Sequence, residues 1–339
     1  MAARFRIATY NIEWFNSLFD DRGRLLPDNE LSGRYEITRR DQIESLGIVF
    51  TAMDADAIMV IEAPNQGSRR STVKALESFA KAFELRTSRA VMGFANPTDQ
   101  EIALLYDPAR IEARHDPWHS ARAPRFDETF RFDIDVDATP ELISFSKPPL
   151  ELAIRAEGHP LRMIGVHAKS KAPRGARSPS EMARAGIQNR RQQLAECVWL
   201  RRRVDTHLAR HQSLIVMGDF NDGPGLDEYE KLFGHSGVEI VLGADVPPDM
   251  RLHEPHARMA LTQKVGITPS TARFWLAPDQ QYFEALLDFI MVSPDLAAKA
   301  PHWRIWHPLN DPNCLRTPEL QQALLSASDH FPVTLDIDL

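Results

Sequence analysis

Eight short apolar runs recur from one end of the chain to the other, each six to nine residues long and each bounded by polar or turn-forming residues. They are FRIATYNI (5–12), AIMVIEA (57–63), IALLYD (102–107), ELAIRAE (151–157), LRMIGVH (161–167), LIVMGD (214–219), LLDFIMVS (286–293) and FPVTLDIDL (331–339). Runs of this length with this β-branched content suit buried strands and are too short for buried helices. Three intervening segments carry the other period. Apolar residues recur three or four apart at Ile43, Leu46, Val49 and Phe50 within 36–53, at Val73, Leu76, Phe79 and Phe83 within 71–84, and at Leu194, Cys197, Leu200, Val204 and Leu208 within 187–209. Each spacing puts one apolar stripe on a helix. EGHP at 157–160, between two strands, reads as a hairpin loop. Helices and hairpins together indicate an α/β chain that is not a simple βαβ repeat.

With 339 residues, 43% of them hydrophobic, the chain can bury a large core. No internal repeat or low-complexity tract interrupts it, and the stretches 171–180, 243–257 and 307–318 read as long loops. Its first residues, MAARFRIATYN, enter a strand pattern directly, without the apolar segment and cleavage site of a secretory signal. No run approaches the roughly 18 apolar residues of a membrane helix, so no membrane insertion is expected. Cys197 and Cys314 are too few for a disulfide framework, which makes a reducing cytoplasm the expected location. No obligate protein partner is evident. The net charge of −7 gives no global attraction to nucleic acid, yet between Lys169 and Arg203 ten Lys and Arg face two Glu. That stretch reads either as a basic edge for a polyanion or as the solvated face of a helix.

The strand ends are where the chemistry gathers. ATYNIEWF carries Asn11 and Glu13, IMVIEAPN carries Glu62, IGVHAKS carries His167 and Lys169, VMGDFND carries Asp219 and Asn221, LLDFIMVS carries Asp288, and SASDHFPV carries Asp329 and His330. Any one of these is ordinary, since acidic and amide residues cap turns. Six together form a set: oxygen ligands for a hard divalent cation, donors for phosphoryl oxygens, and an acid/base pair.

The ordered motifs YNIE, HxKS, GDFN, LDFI and SDH, with FSKPPLELAI ahead of the histidine strand, resemble the endonuclease/exonuclease/phosphatase superfamily, whose fold is deoxyribonuclease I-like. The resemblance runs through nearly the whole chain and implies a single catalytic domain over 1–339. Its expected form is a four-layer α/β/β/α sandwich of two packed mixed β-sheets, with the site where the loops of both sheets converge. It further implies a Mg²⁺ or Mn²⁺ cofactor held by Glu62 with Asn11, Glu13 and Asp329. Asp219 would orient or deprotonate the attacking water and Asn221 would position it. His330, oriented by Asp288, would face the scissile phosphate, His167 would stabilise the developing charge or protonate the leaving oxygen, and Lys169 and Asn11 would contact the substrate. The expected activity is phosphodiester hydrolysis, with a nucleic acid or another phosphodiester as substrate. The alternatives are a small-molecule or lipid-derived diester, or a phosphomonoester. One departure stands out. The family's glutamate usually follows a glutamine, whereas here Ile61 precedes Glu62.

Other sites fail on their own terms. DFNDGPG lacks the ligand and glycine positions of a calcium loop, and GHSGV lacks the last glycine of a serine-hydrolase elbow. Asp133, Asp135 and Asp137 alternate with Ile134 and Val136, the pattern of a solvated sheet face rather than a metal site. Trp14, Trp275 and Trp303 are expected to pack in the core or in loops, not to stack on a ligand.

Overall fold

A computed structural model describes residues 4–98, 100–132, 141–172, 178–225, 234–262, 269–276 and 280–339. The aspartates of FDIDVDA lie outside the described residues, as do Arg174 and Arg177.

Strands β1 (Phe5–Asn11), β2 (Ala57–Pro64), β3 (Arg89–Met92), β4 (Gln100–Tyr106), β14 (His302–Ile305) and β15 (Val333–Ile337) form one sheet in the order β14-β15-β1-β2-β4-β3. The second sheet has the order β13-β10-β9-β8-β5, built from β5 (Ile111–His115), β8 (Leu150–Ala156), β9 (His159–His167), β10 (Leu214–Asp219) and β13 (Asp288–Val292). Each sheet is mixed, with one parallel pair inside it: β1 with β2, and β9 with β10. Two ribbons complete the strands, β6 (Phe130–Phe132) with β7 (Glu141–Ile143) and β11 (Ala272–Leu276) with β12 (Gln281–Ala285).

Alternation along the strands creates three apolar layers. Ile7, Met59 and Leu104 of the first sheet meet Leu152, Met163, Met217 and Ile290 of the second in one cluster, so the sheets pack face to face. On the outer face of the first sheet, Tyr10, Ile58 and Val60 pack with Leu46 and Phe50 of α1 (Arg39–Met53), Phe79 of α2 (Thr72–Ala82) and Leu324 of the helix Pro318–Ala327. On the outer face of the second, Val166, Val216 and Met291 pack with Trp199, Leu200 and Val204 of α3 (Pro179–Leu208). The arrangement is the expected four-layer sandwich. Because both faces of these central strands are covered, they read as continuous apolar runs, which is why they were visible as such in the sequence.

Three boundaries differ from the sequence reading. Helix α1 begins at Arg39, not 36, because Thr38 and Asp41 form a reciprocal capping box. Helix α3 begins eight residues before 187, at Pro179, where the Ser178 side chain accepts from the Glu181 N–H at 3.2 Å. Its first turns carry no apolar stripe for periodicity to find. The loops at 243–257 and 307–318 contain short helices, Pro248–Met250 and Pro312–Arg316 among them. The EGHP hairpin is as expected: Glu157 and Gly158 both have positive φ, 48° and 86°, the twist a two-residue hairpin turn requires. Among the described residues no helix is long and apolar enough to cross a membrane.

Candidate active site

The two parallel pairs end at the same rim. Asn11 closes β1 and Glu62 stands near the end of β2, while His167 closes β9 and Asp219 closes β10. Asp219 is in register with His167 on one side and with Asp288 on the other. Asp329 and His330 arrive just ahead of β15. A cleft of about 850 Å³ is lined by all of these except Asp288, and also by Glu13, Lys169, Asn221 and Lys147.

Local backbone geometry aims two of the carboxylates. β2 bulges between Ile61 and Ala63, with Glu62 at φ 62°, so the bulge interrupts the alternation and turns Glu62 to the rim between two core residues. The Ile61 side chain lies in the layer between the sheets. Gly218, just before Asp219, has φ 139°, and a Cβ there would lie 2.0 Å from the Val166 carbonyl oxygen. Only glycine fits where the strand must run this close to β9 on its way to Asp219.

Asp219 is the hub. Its Oδ2 accepts from Asn11 Nδ2 at 2.9 Å and from Asn221 Nδ2 at 3.1 Å, and its Oδ1 accepts from the Asn221 backbone N–H at 2.7 Å. Asn221 Nδ2 also donates to the Ala168 carbonyl at 3.1 Å, which fixes the amide orientation. Burial lifts the Asp219 pKa to about 6 despite His330 nearby, and lifts Glu62 to about 7 against the pull of Lys147 and His330. Burial alone would push the His330 imidazolium down, but Asp288, 2.7 Å away at Nδ1, with Asp219 and Asp329 behind it, holds its pKa well above the ordinary histidine value. His167 Nε2 accepts from Lys147 Nζ at 3.1 Å and lies 3.6 Å from Asp219 Oδ2 and 3.8 Å from Glu62 Oε1.

Glu13 is held differently. Its carboxylate takes a short ion pair from Arg34 and a 3.0 Å hydrogen bond from the Trp14 indole. Ser328 ties three parts of the rim together, donating to the Asn11 carbonyl and accepting from the N–H groups of Glu13 and His330. Lys169 lines the cleft, and its backbone N–H is fixed 2.8 Å from Glu196.

The structure thus brings every expected site residue to one cleft or directly against it. Lys147 was missed by the sequence reading, since it lies in the loop before β8 and not at a strand end; the signal was the lysine of FSKPPL itself. Asp219, Asp288 and His330 also place ligand-type atoms within 4.8 Å of one another, a set able to hold a divalent metal in general terms.

For three arginines of the helix in the basic stretch 169–203 neither reading holds, whereas Arg184 is exposed and Arg191 and Arg202 are half-buried. Arg190 and Arg203 are buried, not solvated. Arg190 pairs with Asp222 at 2.8 Å, and Arg203 donates to the carbonyls of Ala123 and Pro124 beside Glu151. Arg201 is buried between Asp205 and the Val241 carbonyl. A guanidinium is tolerated inside when carboxylates and carbonyls satisfy its donors, and apart from Asp205, four residues from Arg201, these partners stand far away in sequence. Trp303 packs partly buried, donating to the Ile290 carbonyl at 2.7 Å, whereas Trp14 and Trp275 are about half exposed, at 48% and 52%, contrary to the packing expected of them.

The profile of the endonuclease/exonuclease/phosphatase family matches residues 8–330. No curated protein sequence matches the chain. Solved structures similar to it include TDP2 of D. rerio complexed with a single-strand DNA product, at 10% identity and a TM-score of 0.50 over 99% of both chains. TDP2 from C. elegans is similar at 12% identity and a TM-score of 0.51, over 100% of this chain and 77% of that one. SmcL is similar at 14% identity and a TM-score of 0.51, over 99% of both. At these identities the likeness is one of fold.

Proposed function

The chain belongs to the endonuclease/exonuclease/phosphatase family, and from that premise we infer that it is a divalent-metal-dependent phosphodiesterase that cleaves its substrate by attack of water, with a nucleic acid as the substrate. Family membership and the acidic and histidine cluster support metal-dependent phosphoric ester hydrolysis as the general chemistry. The observation that carries the finer reading is the convergence of Glu62, Asp219, His167 and His330, from both sheets, on one cleft.

The donor set fits Mg²⁺ or Mn²⁺. Among the described residues Asn11 Oδ1 is buried with no hydrogen-bond partner, and burial favours the neutral form of the Glu62 carboxyl, a position that an adjacent metal ion relieves. Glu62, Asn11 and Asp329 would hold the ion, with Glu13 beside them, its carboxylate already engaged by Arg34 and Trp14. Bound there, it would neutralise phosphoryl charge. In this reading the His330–Asp288 pair, joined by a 2.7 Å hydrogen bond, faces the substrate.

The chain's own residues do the rest. Asp219, oriented by Asn11 and Asn221, accepts the proton of the attacking water, and Asn221 positions that water. The His330 imidazolium, held by Asp288, donates to a nonbridging oxygen. His167, with the Lys147 ammonium held at its Nε2, places positive charge near the leaving oxygen, and Lys169 contacts a phosphate as a mobile point charge. The whole chain, 1–339, acts as one catalytic domain in this reading.

One observation favours a second substrate. With Arg190, Arg201 and Arg203 paired inside the protein, the positive edge that would gather a polyanion is reduced, which suits a small-molecule or lipid-derived diester. The test compares bis(p-nitrophenyl) phosphate, p-nitrophenyl phosphate and single- and double-stranded DNA in one buffer with Mg²⁺ or Mn²⁺. DNA cleavage at least as efficient as that of the small diester supports the nuclease. Hydrolysis of the monoester alone would remove the diesterase reading.

A further inference from the structure

The ribbon β11–β12 carries two faces of different character. Phe274 is paired across the strands with Phe283, so both rings lie on one face, while Trp275 and its partner Tyr282 lie on the other. The second face is closed on itself, with Trp275 edge-on to Tyr282 at 5.0 Å and Arg273 over the Tyr282 ring. Among the described residues the first face packs on a small cluster of Ala272, Ala285 and Leu287. Phe283 is left 42% exposed there.

That face forms the wall of a second chamber, of about 290 Å³, bounded by Phe274, Phe283, Leu287 and Asn221. The chamber opens off the catalytic cleft, for Asn221, Phe274 and Leu287 line both. Phe274 also stands edge-on to His330, with ring centroids 5.5 Å apart, so the apolar wall begins at the imidazole assigned to the phosphate. Two cations border the chamber, Lys171 and Arg190, and both are paired with the buried carboxylate of Asp222 at 2.7 and 2.8 Å. What the chamber offers a ligand is therefore aromatic surface beside the reacting group.

We propose that this chamber is a subsite for an aromatic ring carried on the phosphate, with Phe274 and Phe283 as its stacking wall. The volume is at the small end of ligand pockets, which suits one ring system and not an extended chain. An aromatic ring prefers offset or edge contact with other rings and is desolvated at little polar cost against such a wall. A nucleobase and a simple aryl group share this chemistry. The inference rests on the proposed hydrolysis of phosphoesters in the adjoining cleft.

The test is calorimetric binding to the full chain in Mg²⁺, which needs no turnover. Phenyl phosphate and thymidine 5′-monophosphate are compared with methyl phosphate, for the parent and for Phe283→Ala, Phe283→Trp and Trp275→Ala. In the parent at least one aromatic phosphate binds about tenfold or more tightly than methyl phosphate, as stacking on one side chain allows. Phe283→Ala collapses that ratio toward one, Phe283→Trp keeps it, and Trp275→Ala, on the opposite face, leaves it unchanged. The arm that binds more tightly identifies the ring as a base or an aryl group. Equal binding of all three phosphates by the parent, or a ratio unmoved by Phe283→Ala, overturns the subsite. Hydrolysis of bis(p-nitrophenyl) phosphate is read separately. Its absence alongside a retained ratio would count against the phosphodiesterase and leave the subsite standing.

Discussion

His330 Nδ1 and Asp288 Oδ2 are joined by a 2.7 Å hydrogen bond between the segment entering β15 of one sheet and the first residue of β13 of the other. The bond joins the two halves of the sandwich at the site, and it fixes which imidazole nitrogen faces the cleft. His330→Ala is expected to lower kcat by a factor of ~10² or more, and Asp288→Asn by a smaller factor, because the asparagine keeps the shape but loses the charge that supports the imidazolium. Steady-state kinetics on bis(p-nitrophenyl) phosphate check this. A change confined to KM in both variants would show that neither group acts in the transition state.

Glu62→Gln is expected to remove most turnover, by ~10² or more, with the fold intact. Burial raises the pKa of this carboxylate to about 7 in the metal-free protein, so at pH 8 the parent holds a costly charge that the amide does not. The variant should therefore melt at the same or a higher temperature than the parent in EDTA. Mg²⁺ should raise the melting temperature of the parent and leave that of Glu62→Gln where it was. A Mg²⁺ shift of equal size in both proteins would place the ion elsewhere.

How much of this was legible follows from where each interaction partner sits. The central strands announced themselves because both faces are covered, and the site residues because polar groups ended those runs. The ribbon β11–β12 was invisible, since its aromatic residues stand as adjacent pairs, Phe274 with Trp275 and Tyr282 with Phe283, and give no period-2 apolar pattern. The basic stretch misled because counting charge cannot see burial. The carboxylate that neutralises Arg190 is Asp222, after β10, and the one beside Arg203 is Glu151, on β8. Lys147 stood inside FSKPPL but not at the end of an apolar run, and becomes a site residue only when β8 and β9 bring its loop against His167.

Glu196 gives stability a pH dependence. It is buried under the cleft, accepting from the Lys169 N–H at 2.8 Å and from Gln192 at 3.1 Å, and burial raises its pKa from 4.5 to about 7. Below the unfolded value both states are protonated. As pH rises from there to about 7 only the unfolded chain ionises, so the folded state loses stability over that window, by on the order of 3 kcal/mol in all. Glu196→Gln carries no such group, and its urea midpoint should gain on the parent's steadily between about pH 5 and pH 8. A constant difference between the two proteins across that range would show that Glu196 titrates normally.

Gly218→Ala tests whether the backbone ahead of Asp219 is as constrained as its geometry indicates. The added methyl group would meet the Val166 carbonyl oxygen at 2.0 Å, and φ of 139° is a conformation that alanine resists. The neighbouring atom is backbone of β9, the parallel partner that carries His167 one residue further on, so it cannot rotate away as a side chain could. Relief must come from separating β9 and β10 at their ends, which moves Asp219 relative to His167 and loosens the hydrogen bonds from Asn11 and Asn221. The expected result is a loss of about 3 kcal/mol or more in urea unfolding, together with a fall in kcat larger than the rise in KM, because Asp219 is displaced more than the substrate contacts are. A variant with the parent's urea midpoint and kcat would mean that the strands can part here without consequence for Asp219.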